Sequence, residues 1–160
     1  MAGPASRAVS AWMTVRDEVS GVLSAVSSDQ MSGAAALLTD RERRWFCSGQ
    51  GRSGLVAQMV AMRLMHTGFD AHAVGEPTSP SIGEGDGLVM ISGSGETPVT
   101  LHFARLALGF GACMLAGTSQ FGGSLFEQSA LLLLDAVVLD VTAEEPQAHA
   151  QMKARHTNMQ

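Results

Sequence analysis

The apolar positions of the chain change rhythm near residue 44. Before it, Val9, Trp12, Met13, Val15, Val19, Val22, Leu23 and Val26 recur mainly three and four apart, the spacing that places side chains on one helical face. The first forty residues are therefore expected to form one or two helices. After residue 44 come short unbroken apolar runs. Trp45-Phe46-Cys47 ends in Ser48-Gly49-Gln50-Gly51, and Gly87-Leu88-Val89-Met90-Ile91-Ser92 ends in Gly93-Ser94-Gly95. Each reads as a buried strand entering a glycine turn. Residues 71–74 and 112–116 read as two further short strands.

Helical patterns fill the intervals. One runs from Ser53 to about Thr67, with Gly68 placed where a glycine stops a helix. Another opens at Glu96-Thr97-Pro98, where Thr97 suits the N-cap and Pro98 the first helical position. A long helix from about Ser124 to Val141 and a shorter one from Pro146 to Arg155 complete the series. Strands alternating with helices imply right-handed βαβ units, a mostly parallel sheet and helices on both faces, the α/β class. We expect a helical segment over residues 1–40, the core over 41–145 and a helical tail over 146–160.

Composition narrows the function. A chain of 160 residues with 46% hydrophobic and 16% charged residues suits one domain with a real core. The net charge of −5, with Lys153 the single lysine, gives no electrostatic footprint for nucleic acid or an anionic membrane. The basic run Arg41-Glu42-Arg43-Arg44 is broken by an acid and reads as a solvated turn before a strand. Cys47 and Cys113 lie in apolar stretches without metal-ligand spacing, so both read as small buried hydrophobes in a reducing compartment. Even the longest apolar runs, residues 130–134 among them, have five residues, far below the ~20 of a membrane span. With no apolar signal core at the N-terminus, a cytoplasmic location is expected.

The chemistry concentrates in two turns of one layout, strand, Gly/Ser loop, helix start. In Ser48-Gly49-Gln50-Gly51-Arg52-Ser53 and Ser92-Gly93-Ser94-Gly95-Glu96-Thr97, glycines let backbone N–H groups approach an anion, while hydroxyls and the positive helix end add donors. In an open parallel sheet both turns lie beyond the carboxyl ends of the strands, where ligands bind. Neither has the lysine-bearing spacing of a nucleotide P-loop. Phosphate would be held by neutral donors, with Arg52 able to assist. The plainer alternative makes Ser53 and Thr97 ordinary N-caps and the glycines ordinary turns.

Ser48-Gly-Gln-Gly-Arg-Ser-Gly54, Ala61-Met-Arg-Leu-Met-His-Thr-Gly68, Ile91-Ser-Gly-Ser-Gly-Glu-Thr97, Ser124-Leu-Phe-Glu-Gln-Ser129 and the ending Arg155-His-Thr-Asn158 together resemble the 6-phospho-3-hexuloisomerase family. That family lies within the sugar isomerase (SIS) domain superfamily. The resemblance runs through nearly the whole chain in the family's order. It implies a three-layer αβα sandwich with a flavodoxin-like sheet, usually as a homotetramer. The implied activity interconverts 3-hexulose 6-phosphate and fructose 6-phosphate in formaldehyde assimilation, the ribulose monophosphate route. It also implies that Ser92, Ser94 and Thr97, with Ser53, bind the substrate phosphate, and that Glu127 is the catalytic base. Ser48, Gly51, Arg52, Gly93 and Gly95 complete the expected substrate-binding set.

The chemistry suits that assignment, because moving a carbonyl to the next carbon needs one base to shuttle a proton through an enediol, without metal or redox cofactor. Glu127 has a competing structural reading, since Ser124-Leu-Phe-Glu127 is also a capping box. His156 could assist proton movement between substrate oxygens, in its own or a neighbouring subunit, or be a surface histidine. His66 reads as a core or interface residue, and Met59, Met62 and Met65 as packing or subunit contact.

One departure stands out. Relatives continue through a further strand and loop before the Ser-Leu-Phe-Glu helix, whereas residues 117–123 bridge the gap directly, about two dozen residues shorter. The sheet is expected to be one strand short there. The main rival to an isomerase is accordingly a sugar-phosphate-binding module without turnover, and the next an aldose–ketose phosphate isomerase on the same scaffold.

Overall fold

The computed structural model describes residues 4–109, 114–115 and 124–156. The N-terminal pattern resolves into two helices, α1 (Pro4–Ala25) and α2 (Ser28–Leu37). They are separated by a capping box, in which Ser27 Oγ accepts from Gln30 N while Gln30 Oε1 accepts from Ser27 N. Then follow β1 (Trp45–Gly49), α3 (Arg52–His66), β2 (Ala71–Ala73), β3 (Gly87–Ile91), α4 (Pro98–Gly109), β4 (Met114–Leu115), α5 (Ser124–Thr142) and α6 (Ala148–Arg155).

The four strands form one parallel sheet in the order β2-β1-β3-β4. Side chains alternate across it with the period of two that a pleated strand imposes. Trp45, Cys47, Val89 and Ile91 face a core closed by α2, α3 and α5, with Leu38, Val60, Leu64, Leu134 and Val137 among its members. Phe46, Leu88 and Met90 face the opposite layer and meet Ala104 and Ala107 of α4. The three-layer αβα architecture is thus present, with four strands among the described residues. Residues 117–123, where the shortened connection was expected, and Cys113 lie outside the described residues.

Local chemistry explains where the elements stop. Gly68, at φ 94°, ends α3. Its N–H donates to Met65 O and that of Phe69 to Leu64 O, both at 3.0 Å, and the buried Phe69 locks this Schellman turn into the core. One expectation needs correction. The Arg41–Arg44 run does form a turn, but not a solvated one. Arg41 pairs with Glu145, Arg43 with Asp40, and Arg44 makes a fork to Asp86 at 2.7 and 2.9 Å. Asp86, itself buried, also accepts from Gly83 N at 2.7 Å. The acids that neutralise Arg41 and Arg44 are remote in sequence. On α1, Trp12, Met13 and Val15 stay exposed.

Candidate active site

β1 and β3 are neighbours in register, Gly49 opposite Ile91, so the two glycine loops leave the sheet side by side at the same level. In the first, the backbone turns at Gly51 with φ 58° and ψ −128°, a conformation only glycine adopts without strain. Gly49 and Gly54 let strand end and helix start touch, because a Cβ on Gly49 would sit 2.5 Å from the Ser53 carbonyl group. No side chain caps α3. Ser53 is therefore not an N-cap but the second helical residue, half-buried beside the turn. Ser48 lies inside β1, buried, because the strand runs on to Gly49 rather than ending at Cys47.

The second loop is held by its own serines. Gly95 N donates to Ser92 Oγ at 3.0 Å and Glu96 N to Ser94 Oγ at 3.2 Å. Each hydroxyl spends its oxygen on the loop and keeps its O–H hydrogen free to donate to an anion. Ser94 is exposed and Ser92 and Thr97 are partly so. Pro98 opens α4 as the first helical residue, directly after Thr97. Gly95 takes φ 68°.

Glu127 stands in the first turn of α5, and its neighbour Phe126 packs on Gly93 of the second loop. The Glu127 side chain is 10% exposed, and its carboxylate accepts a hydrogen bond from Arg52 Nε of the first loop. It reaches across to that loop rather than back to Ser124, so the capping-box alternative is not the one adopted. The Arg52–Glu127 pair was missed in the sequence. The motifs assigned Arg52 to phosphate and left Glu127 without a partner, and residues 75 apart carry no local signal of an ion pair.

His156 lies elsewhere. It stacks on His66 with ring centroids 4.8 Å apart, at the C-terminal end of α3. That end is roughly 20 Å from Arg52 along a 15-residue helix. Within one chain His156 is therefore remote from Glu127. His66 is buried, as expected, and burial pushes its imidazole below its ordinary value, with His156 and Arg63 adding in the same direction. Cys47 is buried too, and desolvation pushes its thiol up to about 12, so it stays an inert hydrophobe. Among the described residues no group of three or more ligating side chains is placed to hold a metal ion.

The SIS domain family model matches residues 37–158. A 3-hexulose-6-phosphate isomerase of Bacillus subtilis is 36% identical over 146 residues, covering 72% of this chain and 79% of that one. The 3-hexulose-6-phosphate isomerase of Mycobacterium gastri is 32% identical over 176 residues, covering 91% and 88%. That alignment is longer than the present chain, so the relative carries residues that have no counterpart here. A Methanococcus jannaschii protein, whose crystal structure inferred a molecular function of 3-hexulose-6-phosphate isomerase, superposes with a TM-score of 0.77 at 29% identity. The superposition covers 91% of this chain and 97% of that one.

Proposed function

Because the chain belongs to the SIS domain family, we propose that it is a sugar-phosphate isomerase interconverting 3-hexulose 6-phosphate and fructose 6-phosphate through a cis-enediol. The observation that carries this reading is the buried Glu127 carboxylate set between the two loops, touching the first through Arg52 and the second through Phe126 on Gly93.

The substrate phosphate docks on the hydroxyls of Ser92, Ser94 and Thr97 and the N–H groups around Gly93 and Gly95, where the positive end of α4 favours a dianion. Ser53 and the Gly51 turn close the site from the first loop. With the phosphate held, Glu127 takes the proton from C2. The C2–H electrons form the C2=C3 bond as the C3 oxygen gains a proton. The carboxyl then returns a proton to C3 while the C2 hydroxyl loses its own and becomes the carbonyl. Oxidation and reduction balance within the substrate, so no redox cofactor takes part. Within one chain His156 stacks on His66, away from Glu127, so any role for it in moving protons between the two oxygens requires a neighbouring subunit of a homo-oligomer.

A coupled assay for fructose 6-phosphate formed from 3-hexulose 6-phosphate tests the reading. Turnover is expected, and Glu127→Gln should reduce kcat by about 10²–10⁴-fold, the usual worth of a positioned base, while calorimetric affinity for fructose 6-phosphate persists. Saturable binding without conversion in the wild-type chain would instead make it a binding module.

A further inference from the structure

Arg52 occupies an unfavourable place. It is the first residue of α3, where the helix presents its positive end and a cation is repelled. Its side chain is 66% exposed, so packing does not hold it there. Its one hydrogen bond among the described residues spans from the first loop to the Glu127 carboxylate. Glu127 is the complement, a buried acid in the first turn of α5 where negative charge is welcome. A buried carboxylate robbed of its counter-charge turns toward solvent or neutralises.

We propose that Arg52 is a positioning residue for the isomerisation, holding the Glu127 carboxylate in its inward orientation between the loops rather than gripping the phosphate. This rests on the reading of Glu127 as the base. The Gly51 turn fixes where Arg52 leaves the backbone, and the planar guanidinium, donating through Nε, fixes the direction from which the carboxylate is held. The phosphate then belongs to the second-loop hydroxyls and N–H groups, which need no cation. A misplacement of the base by about 1 Å costs on the order of 10²-fold in rate, and that is the scale at which Arg52 acts.

The test is steady-state kinetics with 3-hexulose 6-phosphate on Arg52→Gln, Arg52→Lys, Glu127→Gln and the Arg52→Gln/Glu127→Gln double variant, with thermal melts to confirm folding. Arg52→Gln should lower kcat by about 10²-fold with KM within a few-fold of wild type. Arg52→Lys should recover part of that loss, since the charge remains but the rigid, planar Nε donor is gone. The double variant should be no slower than Glu127→Gln alone, because Arg52 acts only through the carboxylate. A rise in KM at unchanged kcat would make Arg52 a substrate ligand and overturn the proposal, as would losses that simply multiply in the double variant. If Glu127→Gln collapses turnover while Arg52→Gln leaves kcat intact, the positioning role alone is lost. If Glu127→Gln keeps full turnover, the base assignment itself falls.

Discussion

Gly51 carries the sharpest single-residue constraint in the site. At φ 58° and ψ −128° a Cβ meets no neighbour, so a substitution there is penalised by backbone strain alone. Gly51→Ala should destabilise the protein by about 1–3 kcal/mol, read from denaturant midpoints, and weaken substrate binding by disturbing the start of α3. A glycine–glycine spacing is visible in any sequence, which is why this loop could be read early. The orientation of Glu127 could not. A carboxylate three residues after a serine satisfies the capping-box pattern equally well, and only the tertiary placement of Arg52 shows that the side chain turns to the first loop instead. Ser48 shows the same limit. A serine beside glycine reads as a turn, yet the ladder of β1 extends through it because Met90 pairs with it from β3.

Among the elements, α3 carries apolar side chains on two opposite faces. Val56, Val60 and Leu64 fill the core, while Leu55, Met59 and Met62 repeat along the outside, each at least half exposed. The heptad-like spacing predicts the inner face, and the outer one merely looks amphipathic in the wrong direction. Periodicity cannot distinguish packing within a chain from packing between chains, and α1 repeats the lesson with its exposed Trp12, Met13 and Val15. Apolar stripes of this kind mark contacts with another surface, which fits the proposed homotetramer. Met59→Glu with Met62→Lys should leave the melting temperature of the isolated chain nearly unchanged and lower the sedimentation mass. An unchanged mass would separate α3 from the subunit contact.

For the molecule as a whole, the parallel sheet and the helices on both of its faces follow from strand–helix alternation and were legible from the chain, whereas the strand order β2-β1-β3-β4 was not read from it. The neutralisation of Arg41 and Arg44 by acids far along the sequence, and the docking of α6 on the base of α3, were not, because each depends on pairs more than 40 residues apart. The docked tail has a consequence for pH. His66 is surrounded by Arg63, His156 and the Arg155 guanidinium, which donates to its carbonyl at 3.5 Å. In the folded state its imidazole resists protonation, whereas the unfolded chain accepts a proton near the ordinary 6.5. The unfolded state therefore binds more protons below that value, so stability is full above pH 6.5 and declines as pH falls through it. Urea unfolding between pH 8 and 5 should show this decline, and His66→Gln should flatten it.

The in-register pairing of Gly49 with Ile91 also works as a ruler. Hydrogen-bonded strands keep a pitch of about 4.8 Å, and a slip of one residue would turn every side chain of β3 to the wrong layer. The gap between the two cradles therefore cannot drift. If the two loops hold the substrate as proposed, a change of preferred sugar among relatives with this ladder has to come from outside the ladder, while the distance between the two loops stays the same.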